Sequence, residues 1–162
     1  MRSWRREDAA SLVTHANDRA VWLNLRDHFP HPYTPAHADL WLTRAAAADP
    51  ETNFAIAVDD EAVGGIGFVR QADVHRRTAE VGYWLGRPHW GRGLASGAVD
   101  VLSAYAFASH ELDRLFASVF SWNAASMKVL EKAGYVREGI LRRSVVKDGH
   151  ILDAMLYARL RD

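Results

Sequence analysis

The 162-residue sequence predicts a mixed α/β (α+β) domain around a partly antiparallel sheet. Three observations predict it. "TAEVGYWL" (78–85) alternates as a strand does and runs straight into the glycine-rich turn "GRPHWGRGLASG". Helical and strand-like segments then alternate along the chain. Its end, "ILRRSVVKDGHILDAMLYARL", reads as one long hairpin around Asp148-Gly149, a strong two-residue turn signal.

The elements follow in order. "EDAASLVTHANDRAVWLNL" places Leu12, Val13, Ala16, Ala20, Val21 and Leu25 on a loose helical period. "HFPHPYTP" breaks it with three prolines, and "AHADLWLTRAAAAD" reads as a second helix ended near Pro50. "NFAIAV", the turn "DDE" and "AVGGIGFV" form an antiparallel hairpin, in which Gly64, Gly65 and Gly67 point to a bulge or a close backbone approach. In "TAEVGYWL", Ala79, Val81, Tyr83 and Leu85 share one face while Glu80, Gly82 and Trp84 share the other. Leu94, Ala98, Leu102 and Tyr105 continue as a helix, and "RLFASVF" reads as a central strand. In "NAASMKVLEKAG", Asn123 suits the N-cap and Gly134 the left-handed position past the end. With no linker, repeat or low-complexity stretch, residues 1–162 are expected to form a single domain.

Composition narrows the function. Twenty basic residues balance twenty acidic ones, so no overall basic field argues for nucleic acid or a membrane surface. No apolar run reaches the ~18–20 residues of a membrane span, and "MRSWRREDAA" lacks a signal peptide's apolar core. A cytoplasmic location is the expectation. The absence of cysteine removes disulfides, thiolate metal sites and a cysteine nucleophile together. His28, His31 and His37 sit among prolines and no HExxH pattern occurs, so no metal site is expected.

Gly91 and Gly93 leave the backbone uncrowded where a helix begins, so several N–H groups can point at one anion favoured by the helix dipole. A P-loop would need Lys-Ser or Lys-Thr after the glycines, and none follows. A dinucleotide fingerprint would need a parallel βαβ unit with an acid ending its second strand, where this chain has "VFSWN". A turn whose glycines only relieve crowding is the remaining alternative.

The blocks "EVGYWLGRPHWGRGLAS" and "NAASMKVLEKAGYVREG", separated by a strand, resemble the Gcn5-related N-acetyltransferase (GNAT) superfamily. Within it the chain is most similar to the RimJ/RimL-like ribosomal-protein N-acetyltransferase branch, most densely from Glu80 to Gly139. The resemblance implies a mostly antiparallel central sheet flanked by helices and splayed at the acetyl-CoA site. It implies acetyl-CoA as co-substrate, its pyrophosphate cradled by His89, Trp90, Gly91, Arg92, Gly93, Leu94, Ala95 and Ser96, and its pantetheine arm beside Tyr83, Trp84 and Leu85. Arg92 is positioned to contact a phosphate, and Trp90 is expected to pack. The chain departs from the superfamily motif at its first position, which falls on Pro88, and has Ser96-Gly97 where relatives often show Thr-Glu.

With no cysteine and no GxSxG elbow, direct attack of an amine on the thioester is the economical route. Glu80, beside Trp84, is the first choice of general base; a structural glutamate is the alternative. A backbone N–H near Tyr83 to Leu85 is placed to polarise the thioester oxygen. The tyrosine acid usual in the superfamily falls on Leu130, while the branch's Asn-x-x-Ser is matched by Asn123 and Ser126. That match implies that both lie near the pantetheine and makes Ser126 the candidate acid. His31 and Tyr33, in the loop between the early helices, are the expected acceptor contacts. The acceptor is an amine (a protein N-terminus or a small molecule), and a homodimer stays open. A CoA-binding module without catalysis is the competing function.

Overall fold

The computed structural model describes residues 1–161. Six strands lie in the order β1-β2-β3-β4-β6-β5 of a mostly antiparallel sheet: β1 Asn53–Val58, β2 Glu61–Arg70, β3 Thr78–Leu85, β4 Arg114–Phe120, β5 Val136–Lys147 and β6 His150–Leu160. The helices are α1 Ala9–Ala16, α2 Arg19–Trp22, α3 Pro35–Ala46, α4 Leu94–Ser109 and α5 Ala124–Lys132. The described residues group into two compact units, Met1–Gly67 with Tyr83–Ala95, and Phe68–Gly82 with Ser96 onward.

In the first unit, the helical period expected over residues 7–25 is split into α1 and α2. The break falls at Asn17-Asp18, two residues whose side chains compete with a helix for backbone partners. Asp18 Oδ1 accepts the Ala20 N–H at 2.7 Å as the α2 cap, and Asn17 Oδ1 accepts the Tyr33 N–H at 3.0 Å. Helix α3 starts as its sequence dictates: Pro35 occupies the first turn, and Thr34 and His37 exchange capping hydrogen bonds. The core of this unit gathers Trp4, Leu12, Ala16, Tyr33, Ala38 and Leu42 around the β1–β2 hairpin.

That hairpin carries the expected irregularity, a register shift at Ile56/Ala57. The close approach is present too. A Cβ on Gly64 would overlap the Trp84 carbonyl oxygen and lie 3.0 Å from Leu85 Cα, and one on Gly65 would lie 2.6 Å from Trp84 Nε1. Two bare positions on β2 therefore make room for the end of β3.

In the second unit, β4 is an interior strand, parallel to β3 and antiparallel to β6. The β3–β4 ladder joins Thr78–Glu80 to Arg114–Phe116. Register fixes the faces, since directly opposed residues project to the same side. Ala79 aligns with Leu115 and Leu115 with Arg159, whose guanidinium reaches Asp100 on α4 at 2.8 Å. Glu80 aligns with Phe116 and Phe116 with Ala158, on the face away from α4. The final hairpin turns at Asp148 and Gly149, both at positive φ, and returns β6 between β4 and β5. Helix α5 is capped by Asn123, and Gly134 follows it at φ +78°.

Candidate functional site

The strand β3 ends in a turn held by its own backbone. Gly86 N–H donates to Val63 O at 2.8 Å, His89 N–H to Gly86 O at 2.9 Å, and Trp90 N–H to Arg87 O at 3.2 Å. The Trp90 indole N–H donates to Leu85 O at 2.7 Å, closing the loop with a side chain while much of the ring stays exposed. Trp90 is thus a clamp on the turn, a more specific role than packing.

Gly91 and Gly93 follow at φ +74° and +79°, and a Cβ on either would meet nothing within 4 Å. Glycine is required here for conformation, which rules out the relief of crowding as its reason. Among the described residues, the N–H groups of Gly91, Arg92 and Gly93 make no backbone hydrogen bond. The first turn of α4 adds further orphan donors and carries no acidic residue. The result is a set of uncommitted donors at the positive end of a sixteen-residue helix.

The flanks of the turn are pinned. Arg87 Nε sits 2.8 Å from Asp18 Oδ2, so the carboxylate that caps α2 also anchors the turn. His15, buried on α1, packs on Gly86 so closely that a Cβ there would lie 2.6 Å from its Nδ1. Its Nε2 lies 3.0 Å from Glu61 Oε1, and its ring stands edge-on to that of His89, centroids 5.2 Å apart. Arg92 Nη1 reaches His89 Nδ1 at 3.3 Å. Burial first, then the neighbouring His15 and Arg92, push the His89 imidazole below its usual pKa. His15, Glu61, Asp18 and Gly86 were not among the sequence-derived candidates. His15 and Glu61 stand 46 positions apart, and no local spacing encodes such a pair.

The same unit holds the loop between α2 and α3. His31 stacks on Trp22 with centroids 5.7 Å apart, and Tyr33 packs on Phe29, which in turn meets Trp84 at 5.6 Å. Burial raises the Tyr33 phenol to about 12, so it is neutral throughout the physiological range. His31, Tyr33, Tyr83, Trp84 and Leu85 are therefore gathered with the glycine turn up to Ala95, while Glu80, Ser96, Asn123 and Ser126 belong to the second unit.

There, Asn123 Oδ1 accepts the Ser126 N–H at 3.1 Å, so the Asn-x-x-Ser spacing serves first as a helix cap. Leu130, at the position of the superfamily's usual tyrosine, is wholly buried. Tyr135 is also committed inward, its hydroxyl 2.9 Å from Ser103 Oγ. Glu80 is half-buried on β3.

A cavity of about 670 Å³ lies elsewhere, at the start of α1 and the β1–β2 turn. Two ion pairs line it, Asp8 with Arg2 at 2.7 Å and Asp60 with Arg5 at 2.7 Å. Among the described residues no cluster of histidine and carboxylate is placed to hold a metal ion, and no helix is long and apolar enough to cross a membrane.

Comparison with known proteins decides the family. Residues 1–136 match the model of the acetyltransferase (GNAT) domain. The chain belongs to this family. Among curated proteins it is 39% identical over 102 residues to the uncharacterized N-acetyltransferase p20 of Bacillus licheniformis, covering 63% of this chain and 57% of that protein. It is 35% identical over 109 residues to the ribosomal-protein-serine acetyltransferase of Escherichia coli, covering 67% and 60%. The chain thus spans less than two thirds of the length of these curated relatives. Among solved structures, RimJ of Mycobacterium smegmatis in complex with CoA-disulfide superposes with a TM-score of 0.84 at 25% identity, over 98% of this chain and 80% of that one. A GNAT-family acetyltransferase from Bacillus anthracis gives 0.84 at 23% identity, over 98% and 92%, a likeness of fold. This GNAT chain shares its fold with the RimJ/RimL group, as its paired sequence blocks imply.

Proposed function

We propose that this GNAT domain transfers an acetyl group from acetyl-CoA directly to a primary amine, with no covalent acyl-enzyme. The observation that carries the proposal is the glycine turn, where two residues at positive φ, open space beyond each Cα and uncommitted N–H groups meet the start of α4. That donor set fits a diphosphate, whose oxygens need several convergent N–H groups. Arg92 adds a charge-assisted contact to the same group.

Acetyl-CoA supplies the activated thioester; the chain's residues handle position and protons. Residues His89–Ser96 hold the pyrophosphate end, and Tyr83, Trp84 and Leu85 line the course of the pantetheine arm. Glu80 accepts the proton that the acceptor's ammonium group must lose before its nitrogen can bond to the acetyl carbon, and the second proton leaves the nitrogen for water as the amide forms. As the carbon–sulfur bond breaks, Ser126 Oγ hands a proton to the departing sulfur and recovers one from water. Asn123 orients the first turn of α5 that carries Ser126. His31 and Tyr33 contact the acceptor, whose class is a protein N-terminus; the sequence likeness to a ribosomal-protein-serine acetyltransferase supports that class. The reaction belongs to the cytoplasm.

The test is thiol release from acetyl-CoA against a panel of N-terminal peptides and small amines. Release that depends on a peptide amine is the expected result. Tight CoA binding with no release for any acceptor would leave a CoA-binding module instead.

A further inference from the structure

A row of ionisable side chains backs the glycine turn and ends in two residues of the cradle itself, His89 and Arg92. Glu61 at the start of β2, His15 on α1, His89 in the turn and Arg92 between the glycines follow one another at 3.0 Å, 5.2 Å between ring centroids, and 3.3 Å. A guanidinium can only donate, so the contact from Arg92 requires a lone pair on His89 Nδ1. The ring of His89 is then neutral, with its proton on Nε2. The surrounding charges favour that form. His15 and Arg92 oppose a positive charge on His89, and burial opposes it more strongly. Glu61, the carboxylate acting in the other direction, is engaged by His15. Arg87 of the same turn is neutralised by Asp18.

An anion on the turn reverses this balance. A guanidinium–phosphate pair is charge-assisted on both sides and stronger than a bond to a neutral imidazole. Arg92 therefore moves to the phosphate and releases His89 Nδ1 beside a new negative charge.

We infer that His89 is a proton-coupled anion ligand of the turn, taking a proton from solvent at Nδ1 when a phosphate group binds and donating it in a charge-assisted hydrogen bond. The inference rests on reading the turn as a diphosphate cradle. Linkage sets its sign. Binding raises the proton affinity of His89, so anion affinity is greatest at low pH. It falls as pH rises from the free-state pKa, which lies below 6.5, to the bound-state value. For one proton the steepest fall is about tenfold per pH unit.

The probe is dephospho-CoA, which keeps the pyrophosphate but lacks the monoester phosphate whose own second ionisation lies near 6. Calorimetry in buffers of different ionisation enthalpy, from about pH 6 to 8, counts protons exchanged on binding; the window spans the usual histidine range. The wild-type protein is expected to take up close to one proton near the middle of the window, and its affinity to decline with pH. His89→Gln, in a half-exposed turn position, should bind with no uptake and no pH dependence across the window. An NMR titration of the His89 ring in the wild-type protein, free and bound, gives the same answer without a variant: its pKa should rise on binding. Wild-type binding without proton uptake, or equal uptake in His89→Gln, would overturn the proton coupling and leave the cradle standing. No binding of dephospho-CoA at any pH would overturn the cradle itself, and the coupling with it.

Discussion

Replacing Gly93 by valine separates a backbone cradle from a merely flexible loop. Gly93 sits at φ +79°, and a Cβ there would touch nothing within 4 Å, so the free protein has room for a side chain. What valine lacks is the conformation. The left-handed region costs an L-residue roughly 1–2 kcal/mol, and a β-branched residue lies at the upper end. The chain can hold the turn under that strain or relax φ to a negative value, which turns the neighbouring N–H groups away from a common point. Relaxation transfers the cost to binding, and the branched side chain crowds the approaching phosphate besides. About 1.4 kcal/mol is tenfold in Kd, so CoA affinity should fall at least tenfold. Asparagine tolerates positive φ better, and Gly93→Asn should lose only about threefold. Gly97 has no positive φ and open space beyond its Cα, so Gly97→Ala should stabilise α4 by roughly 0.5–1 kcal/mol. Calorimetric titration with CoA and thermal melts of the three variants make the comparison. A folded Gly93→Val protein with wild-type affinity would refute the cradle, and equal losses in Val and Asn would shift the cause from backbone to side-chain volume.

Three further predictions concern the proposed proton transfers, the contact between β2 and the end of β3, and a buried histidine. Glu80→Gln should lower turnover by about 10²–10⁴-fold and Ser126→Ala by about tenfold, both with CoA affinity nearly unchanged; wild-type rates in both across about pH 6 to 9 would reassign the proton transfers. Gly64→Ala should destabilise the fold by about 2–3 kcal/mol, because its Cβ meets the backbone of Trp84 and Leu85, whereas Gly82→Ala meets nothing and should stay within about 0.5 kcal/mol in a denaturant titration. The buried His110, its Nε2 without a partner among the described residues, has its pKa lowered by burial and then by Arg70, so stability is full above about 6.5, where the unfolded chain also leaves the ring neutral, and falls as pH drops towards the folded pKa. His110→Phe should flatten that acid limb in melts taken at successive pH values, and an unchanged limb would assign it to other groups.

Much of the fold was legible because its signals are local. Alternation marks β3, Asp148-Gly149 marks the last hairpin, and Asn123 with Gly134 brackets α5; each depends on residues within a turn or two. The break between α1 and α2 is local as well, but a hydrophobic period runs across it and masks it. Asn17 and Asp18 both favour caps over helix interiors, and together they were the signal. The glycine turn was legible as an anion site, while the reason for its glycines required the torsion angles. Asn123 and Ser126 show the limit in the opposite direction: the spacing that suggests a site residue pair is also the spacing of an N-cap, and sequence alone cannot weigh the two.

A close approach at Gly64 and Gly65 was legible in the sequence; the atoms that make it, and the role of Gly86, were not, and both share one physical cause. Gly64 and Gly65 on β2 clear space for the Trp84 carbonyl and indole, and Gly86 clears space for the His15 ring. Each is a glycine because of an atom far away in sequence. Together they mean that the end of β3, and with it the start of the turn, is positioned by absent side chains as much as by bonds. Interiors are packed closely enough that a methyl group placed in such a gap must move backbone. The Gly64 contact is with backbone atoms, which cannot rotate aside, so its strain passes along β3 towards Gly86 and the turn. The Gly86 contact is with an imidazole already tied to Glu61, so that ring yields only by giving up its partner. A methyl at either place therefore disturbs the donors of the turn without touching a ligand. The geometry of the turn is thus set largely by residues of β2 and α1, and affinity for a phosphate group should be sensitive to positions that a motif centred on residues 87–97 does not contain.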